Sequence, residues 1–193
     1  MSRPREFDVE LAIDAALRLF WQKGYSGVSL TDLTEALGIN RPSLYAAFGS
    51  KEELFLRAVD RYITGPAAPV AAAMNAGTAR EVATKMMRFY ADAAAQPDRP
   101  KGCLLVQGAL VCSDESEPVK QALADKRLFA EAALATRFEQ ARREGDLSKN
   151  VKPADLARYV WTVCNGLAVQ ATGGATREQL RRAVDIAMRA WPT

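Results

Sequence analysis

Ser29-Leu-Thr-Asp-Leu-Thr-Glu-Ala-Leu-Gly-Ile-Asn-Arg-Pro-Ser-Leu-Tyr-Ala-Ala-Phe-Gly-Ser-Lys51 is the stretch on which the reading of this chain turns. Ser29 is placed to cap a helix, and Asp32, three residues on, to reach back as in a capping box. Leu30, Leu33, Ala36 and Leu37 then recur at helical spacing and define one apolar face. Gly38 follows, the residue that most easily takes the left-handed backbone ending a helix. Asn40 is a good cap for a second helix, and Pro42 suits a first turn, where a missing N–H costs nothing. Leu44, Ala47 and Phe48 give this second helix a buried side before Gly49 stops it. Two short helices around a tight turn are the sequence form of a helix-turn-helix, whose second helix lies in the major groove of DNA.

Upstream, Val9, Ala12, Ile13, Ala16, Leu17, Phe20 and Trp21 predict an amphipathic helix over 7–23, closed by Gly24. Downstream, Ser50 caps a helix over 51–63 with Leu54, Phe55, Ala58, Val59 and Tyr62 inward. Phe20-Trp-Gln-Lys-Gly-Tyr25, Ser29-Leu-Thr-Asp-Leu33, Gly38-Ile39, Pro42-Ser-Leu-Tyr45 and Phe48-Gly-Ser-Lys-Glu52 together resemble, in order and spacing, the N-terminal domain of TetR/AcrR-type transcriptional regulators. The resemblance covers roughly 55 residues. It implies an all-α protein with a three-helix DNA-binding domain at 1–52 and a larger effector-binding and dimerisation domain at 53–193.

The rest of the chain fits that division. Residues 64–78, rich in Gly, Pro and Ala, read as a linker or a frayed helix end. Helices are predicted over 79–95 and, after the break Gln96-Pro-Asp-Arg-Pro100, over 101–112. A long surface helix follows over 117–144, then one opened by Pro153 and one opened near Thr176. That makes about nine helices. Gly102-Cys-Leu-Leu105 also resembles the entry of a ligand-domain helix in AcrR-like members, and the last two helices resemble the pair that forms the family's four-helix dimer interface.

Composition excludes several chemistries. The 193 residues contain no histidine, so Ser-His-Asp and Cys-His catalysis and His-ligated zinc have no basis. No metal site or cofactor is predicted, and no enzyme. No apolar run approaches the ~18 residues that span a membrane. Three cysteines without CxxC spacing, and no signal peptide, point to a reducing cytoplasm. Cys103, Cys112 and Cys164 read either as buried structural thiols or as a thiol sensor. Net charge is only +3, and the first 61 residues carry eight basic against nine acidic side chains. DNA binding therefore rests on the placement of individual residues, not on bulk charge.

Those residues are Arg41, Pro42 and Ser43 at the start of the second short helix, where recognition helices reach base edges, and Tyr45 beyond them. By resemblance, Tyr45, Ser29, Thr31 and Lys51 hold phosphates, with Lys51 also at an anion-favouring helix N-terminus. Ser29 has the alternative of being only a cap, and Pro42 of being only a helix starter. Arg3 and Arg5 belong either to a solvated tail or to a minor-groove contact.

In the larger domain, Gln107 and Asn165 are amides inside apolar helices, and a buried amide must be paired. Either they bond a neighbouring helix or the dimer partner, or they orient an effector in a pocket lined by Met86, Phe89, Tyr90, Phe129 and Trp161. The function implied is a homodimeric, ligand-responsive repressor on a near-palindromic double-stranded DNA operator. A helical small-molecule-binding module with a vestigial DNA-binding domain is the rival.

Overall fold

The computed structural model describes residues 8–110 and 117–192. Phe7, Arg3, Arg5 and Cys112 lie outside the described residues. Among the described residues there are ten helices and no strand.

The first three helices follow their local signals. Helix α1 (Val9–Lys23) is capped by Asp8, whose carboxylate accepts from the Glu10 and Leu11 N–H groups. Helix α2 (Leu30–Leu37) carries the complete Ser29–Asp32 capping box, worth on the order of 1 kcal/mol for the cap alone. It ends on Gly38 at φ 67°, where a Cβ would be strained. Helix α3 (Arg41–Phe48) is capped by the Asn40 side chain, which accepts from the Ser43 N–H at 2.9 Å. Helix α4 (Lys51–Thr64), capped by Ser50, packs along α1. The seam is aromatic: Phe20 meets Phe55 edge-on at 5.0 Å between centroids, and Tyr25 meets Phe55 at 5.2 Å. Phe20, Leu33, Leu44, Phe48 and Phe55 are fully buried.

The stretch 64–78 is not bare linker. Ala68–Ala73 forms a short helix, α5, which is the element beyond the nine expected. It has no side-chain cap and is held from outside. Val70 and Ala73 face the core, and the Arg137 guanidinium donates to the carbonyls of Met74 at 3.2 Å and Ala76 at 2.9 Å.

The body comprises α6 (Ala79–Ala93), α7 (Leu104–Leu110), α8 (Glu117–Arg143), α9 (Pro153–Thr172) and α10 (Arg177–Arg189). Capping boxes open α6 (Thr78 with Glu81) and α10 (Thr176 with Gln179). Helix α8 packs on α9, and α6 on both α9 and α10. Across the α6–α10 seam, Asp92 pairs with Arg177 and Arg181, and Arg88 with Asp185. Helix α7 begins later than the predicted 101. It starts only at Leu104, because Gly102 sits at φ 84° and holds the preceding residues in a turn. No helix of the described residues is long and apolar enough to cross a membrane.

Candidate functional site

Helix α3 buries Leu44 and Phe48 and leaves Arg41, Pro42, Ser43 and Tyr45 on its outer side. Tyr45 is 46% exposed, a large aromatic left half open to solvent. The Arg41 guanidinium donates to Thr31 Oγ1 at 3.2 Å, tying the first turn of α3 to the first turn of α2. Lys51 stands at the N-terminus of α4, its ammonium 4.3 Å from the centroid of the Tyr25 ring. The five side chains Thr31, Arg41, Ser43, Tyr45 and Lys51 are thus carried by three helices whose inner faces share one core.

Ser29 has a definite local task. Its hydroxyl accepts from the Asp32 N–H at 3.0 Å and donates to the Asp32 carboxylate. The Lys23 ammonium and the Ser29 hydroxyl hold that carboxyl well below the usual carboxylate range. Asp32 thereby stays ionised at the positive end of α2. Pro42 lies in the first turn of α3, the position of a helix starter, and is exposed.

The body contains an open cleft of about 300 Å³. Tyr90 of α6, Cys103 and Leu105 at the start of α7, a row of α8 (Ala124, Arg127, Leu128, Ala130, Glu131), and Trp161 and Asn165 of α9 line it. Of the seven residues predicted for an effector site, it gathers three: Tyr90, Trp161 and Asn165. Phe89 turns to a water-sized cavity of about 10 Å³ between α6, Trp21 and Tyr62. Met86 is fully buried core. Gln107 donates its amide N–H to the Lys101 carbonyl at 3.2 Å, while its Oε1 is buried without a partner among the described residues. Phe129 does not line the cleft and is 77% exposed, because one helical step turns it about 100° from Leu128.

Arg127, Glu131 and Cys103 were missed. The signal for the first two was the spacing Ala124, Arg127, Leu128, Glu131, one face of α8 once its inner side is fixed. Of the charged groups in the wall, Arg127 donates through Nη1 to the neutral Leu105 carbonyl at 2.8 Å. Glu131 accepts from Arg158 Nε at 3.0 Å and Nη2 at 2.8 Å. The Asn165 amide has no partner among the described residues. Burial raises the Tyr90 phenol well above its ordinary value, with Cys103 beside it adding to the effect. Burial likewise pushes the Cys164 thiol up, so it stays protonated and unreactive. Among the described residues no cluster of Asp, Glu and Cys has the grouping of a metal site.

A helix-turn-helix presenting an exposed basic and aromatic row, joined to a helical body with a small-molecule-sized cleft, defines a one-component DNA-binding regulator. Residues 12–58 match the model of bacterial regulatory proteins of the tetR family, and residues 82–191 match the tetracyclin repressor-like C-terminal domain. The chain belongs to this family.

Among curated relatives, the HTH-type transcriptional repressor ComR of Escherichia coli (strain K12) is 32% identical over 98% of this chain and 91% of its own length. The HTH-type transcriptional repressor BdcR of the same organism is 36% identical over 92% and 86%. Among solved structures, the TetR family regulator CifR, as a cysteine mutant complexed with 26-bp double-strand operator DNA, superposes with a TM-score of 0.93. It is 39% identical over 98% of this chain and all of that one.

Proposed function

We propose that this chain is a dimeric repressor that grips a near-palindromic operator with α3 and lets go when a small molecule occupies the α6–α9 cleft. The observation that carries this reading is the exposed Arg41, Ser43 and Tyr45 row on a helix fixed by its own core, with Thr31 and Lys51 flanking it for phosphates. Phosphate contacts position such a helix and base-edge contacts specify the sequence. Two copies would place their recognition helices about one turn of DNA apart, ~34–36 Å. Apolar side chains left on α9 and α10, Val169 at 45% and Ile186 at 63% exposure, support pairing through these two helices.

The working parts on this reading are a head at 1–52 and a body at 53–193, with α4 as the stiff connection, in the bacterial cytoplasm where the operator is. The effector fitting the cleft is compact and mainly apolar. Glu131 is paired with Arg158, which leaves the Asn165 amide and the remaining N–H donors of Arg127 as the polar groups available to orient a ligand.

A salt-titrated selection from a randomised duplex pool tests the proposal, run with the intact protein and with Tyr45→Ala. Enrichment of a palindrome, bound more weakly by the variant across all sequences, is the expected result. A folded dimer that enriches nothing at low salt overturns it and returns the cleft as the whole function.

A further inference from the structure

Cys103 lines the cleft and adjoins the turn that bonds the DNA-binding head. One side of it forms cleft wall. On the other side, the buried Tyr62 and Tyr90 phenols lie beside its thiol. Two routes lead from there to one residue of α1. Through the backbone, the adjoining Gly102 offers its carbonyl to the Trp21 indole N–H at 3.3 Å. Through side chains, Tyr62 meets the Trp21 ring edge-on, at 4.7 Å between centroids and 80° between planes.

The turn between them has little freedom. A Cβ at Gly102 would stand 2.6 Å from Thr172 Cγ2 and 2.8 Å from Gln107 Nε2, so α9 and α7 close in on the glycine from two directions. Gln107 also holds the carbonyl of Lys101. A close-packed wall of this kind moves as a piece or not at all. An occupant that displaces Cys103 must either carry Trp21, and α1 with it, or break the indole bond.

Resting on the reading of the cleft as the effector site and α3 as the DNA reader, we infer that Trp21 is the positioning residue that reports cleft occupancy to the head. It touches neither DNA nor effector. It sets the angle of α1, and α2 and α4 pack on α1, so the placement of α3 follows. The coupling is energetic: an occupant shifts the head only by its preference for the state in which the Trp21–Gly102 bond is broken or moved.

A double-mutant cycle tests this without a known effector. Cys103→Met enlarges the wall into the cleft and stands in for an occupant. Trp21→Phe keeps a ring against Tyr62 and removes the N–H. Full-length proteins, shown folded by thermal melts, are compared for affinity to the selected operator and for amide hydrogen exchange in residues 9–23. Cys103→Met is expected to weaken operator binding about tenfold and to speed exchange in α1. In the Trp21→Phe background the same change should cost less than about threefold and leave α1 exchange nearly unaltered.

Effects that simply multiply, as two independent structural lesions would, overturn the inference. If Cys103→Met does not fold, Cys103→Val serves in its place under the same criteria. Failure to bind any DNA would remove the regulator reading, while the α1 exchange cycle would still decide whether Trp21 is coupled to the wall.

Discussion

The guanidinium of Arg41 is held by the hydroxyl of Thr31 at 3.2 Å, a bond between the first turns of α3 and α2. It parks the long arginine side chain in a defined direction before any DNA arrives, which lowers the conformational entropy lost on binding. Thr31→Val keeps the volume and removes the acceptor. Operator affinity is expected to fall by a few-fold while the preferred sequence stays the same. Arg41→Ala should instead cost about 1–3 kcal/mol and relax the preference at one base position per half-site. Competition binding on a set of single-base operator variants separates the two. An unchanged base preference in Arg41→Ala would remove this residue from the reading of the bases.

Lys51 has a different signature. Its ammonium lies over Tyr25 at the N-terminus of α4, a place suited to a phosphate. Lys51→Ala should weaken binding to every sequence alike. It should also reduce the slope of log affinity against log salt by about one per protomer. A salt slope identical to that of the wild type would show that Lys51 makes no phosphate contact.

The head was legible because its signals are local. Ser29, Asp32, Gly38, Asn40 and Pro42 each act within three or four residues, and a cap or a left-handed glycine does the same work whatever packs around it. Helix α5 was not legible for the opposite reason. Its Ala-Pro-Val-Ala-Ala-Ala stretch has no cap of its own and is secured by Arg137, more than sixty residues away in the chain. The cleft was half legible. Tyr90, Trp161 and Asn165 lie on the inner faces that periodicity assigns to α6 and α9. The facing row of α8 depends on helix rotation, and a one-residue error replaced Leu128 by Phe129. The sequence marks Cys103 only as a thiol at the entry of a ligand-domain helix, not as cleft wall. Its standing comes from the turn at Gly102 that α7 and α9 enclose.

The outer side of α10 carries Ile186 at 63% exposure, and α9 carries Val169 at 45%. Burial of such side chains at a subunit interface is worth about 1.5–3 kcal/mol each. A charge in their place is desolvated without a partner. Ile186→Glu is expected to convert the dimer to monomer at micromolar concentration, with helix content unchanged. Operator affinity should fall steeply, because two linked half-site contacts become separate ones. Sedimentation velocity with circular dichroism reads both. A dimer that survives Ile186→Glu would place the interface elsewhere.

Asp92 supplies the pH dependence. The Arg181 hydrogen bond, with Arg177 adding a second, holds its carboxyl below the usual carboxylate range, against a smaller opposing effect of burial. Protonation is therefore easier in the unfolded chain than in the folded one. The clasp between α6 and α10 contributes its full stabilisation above the unfolded value of about 3.9 and loses it as pH falls through the lower folded value. Side chains about one-third exposed on both partners limit the size of the effect, and solvent screening keeps it near ~1 kcal/mol. Asp92→Asn should be less stable than the wild type by about that amount from pH 5 to 8. The two denaturation midpoints should converge as the pH drops below about 4. A gap that persists undiminished at pH 3 would show that the carboxylate's charge is not what Asp92 contributes to the seam.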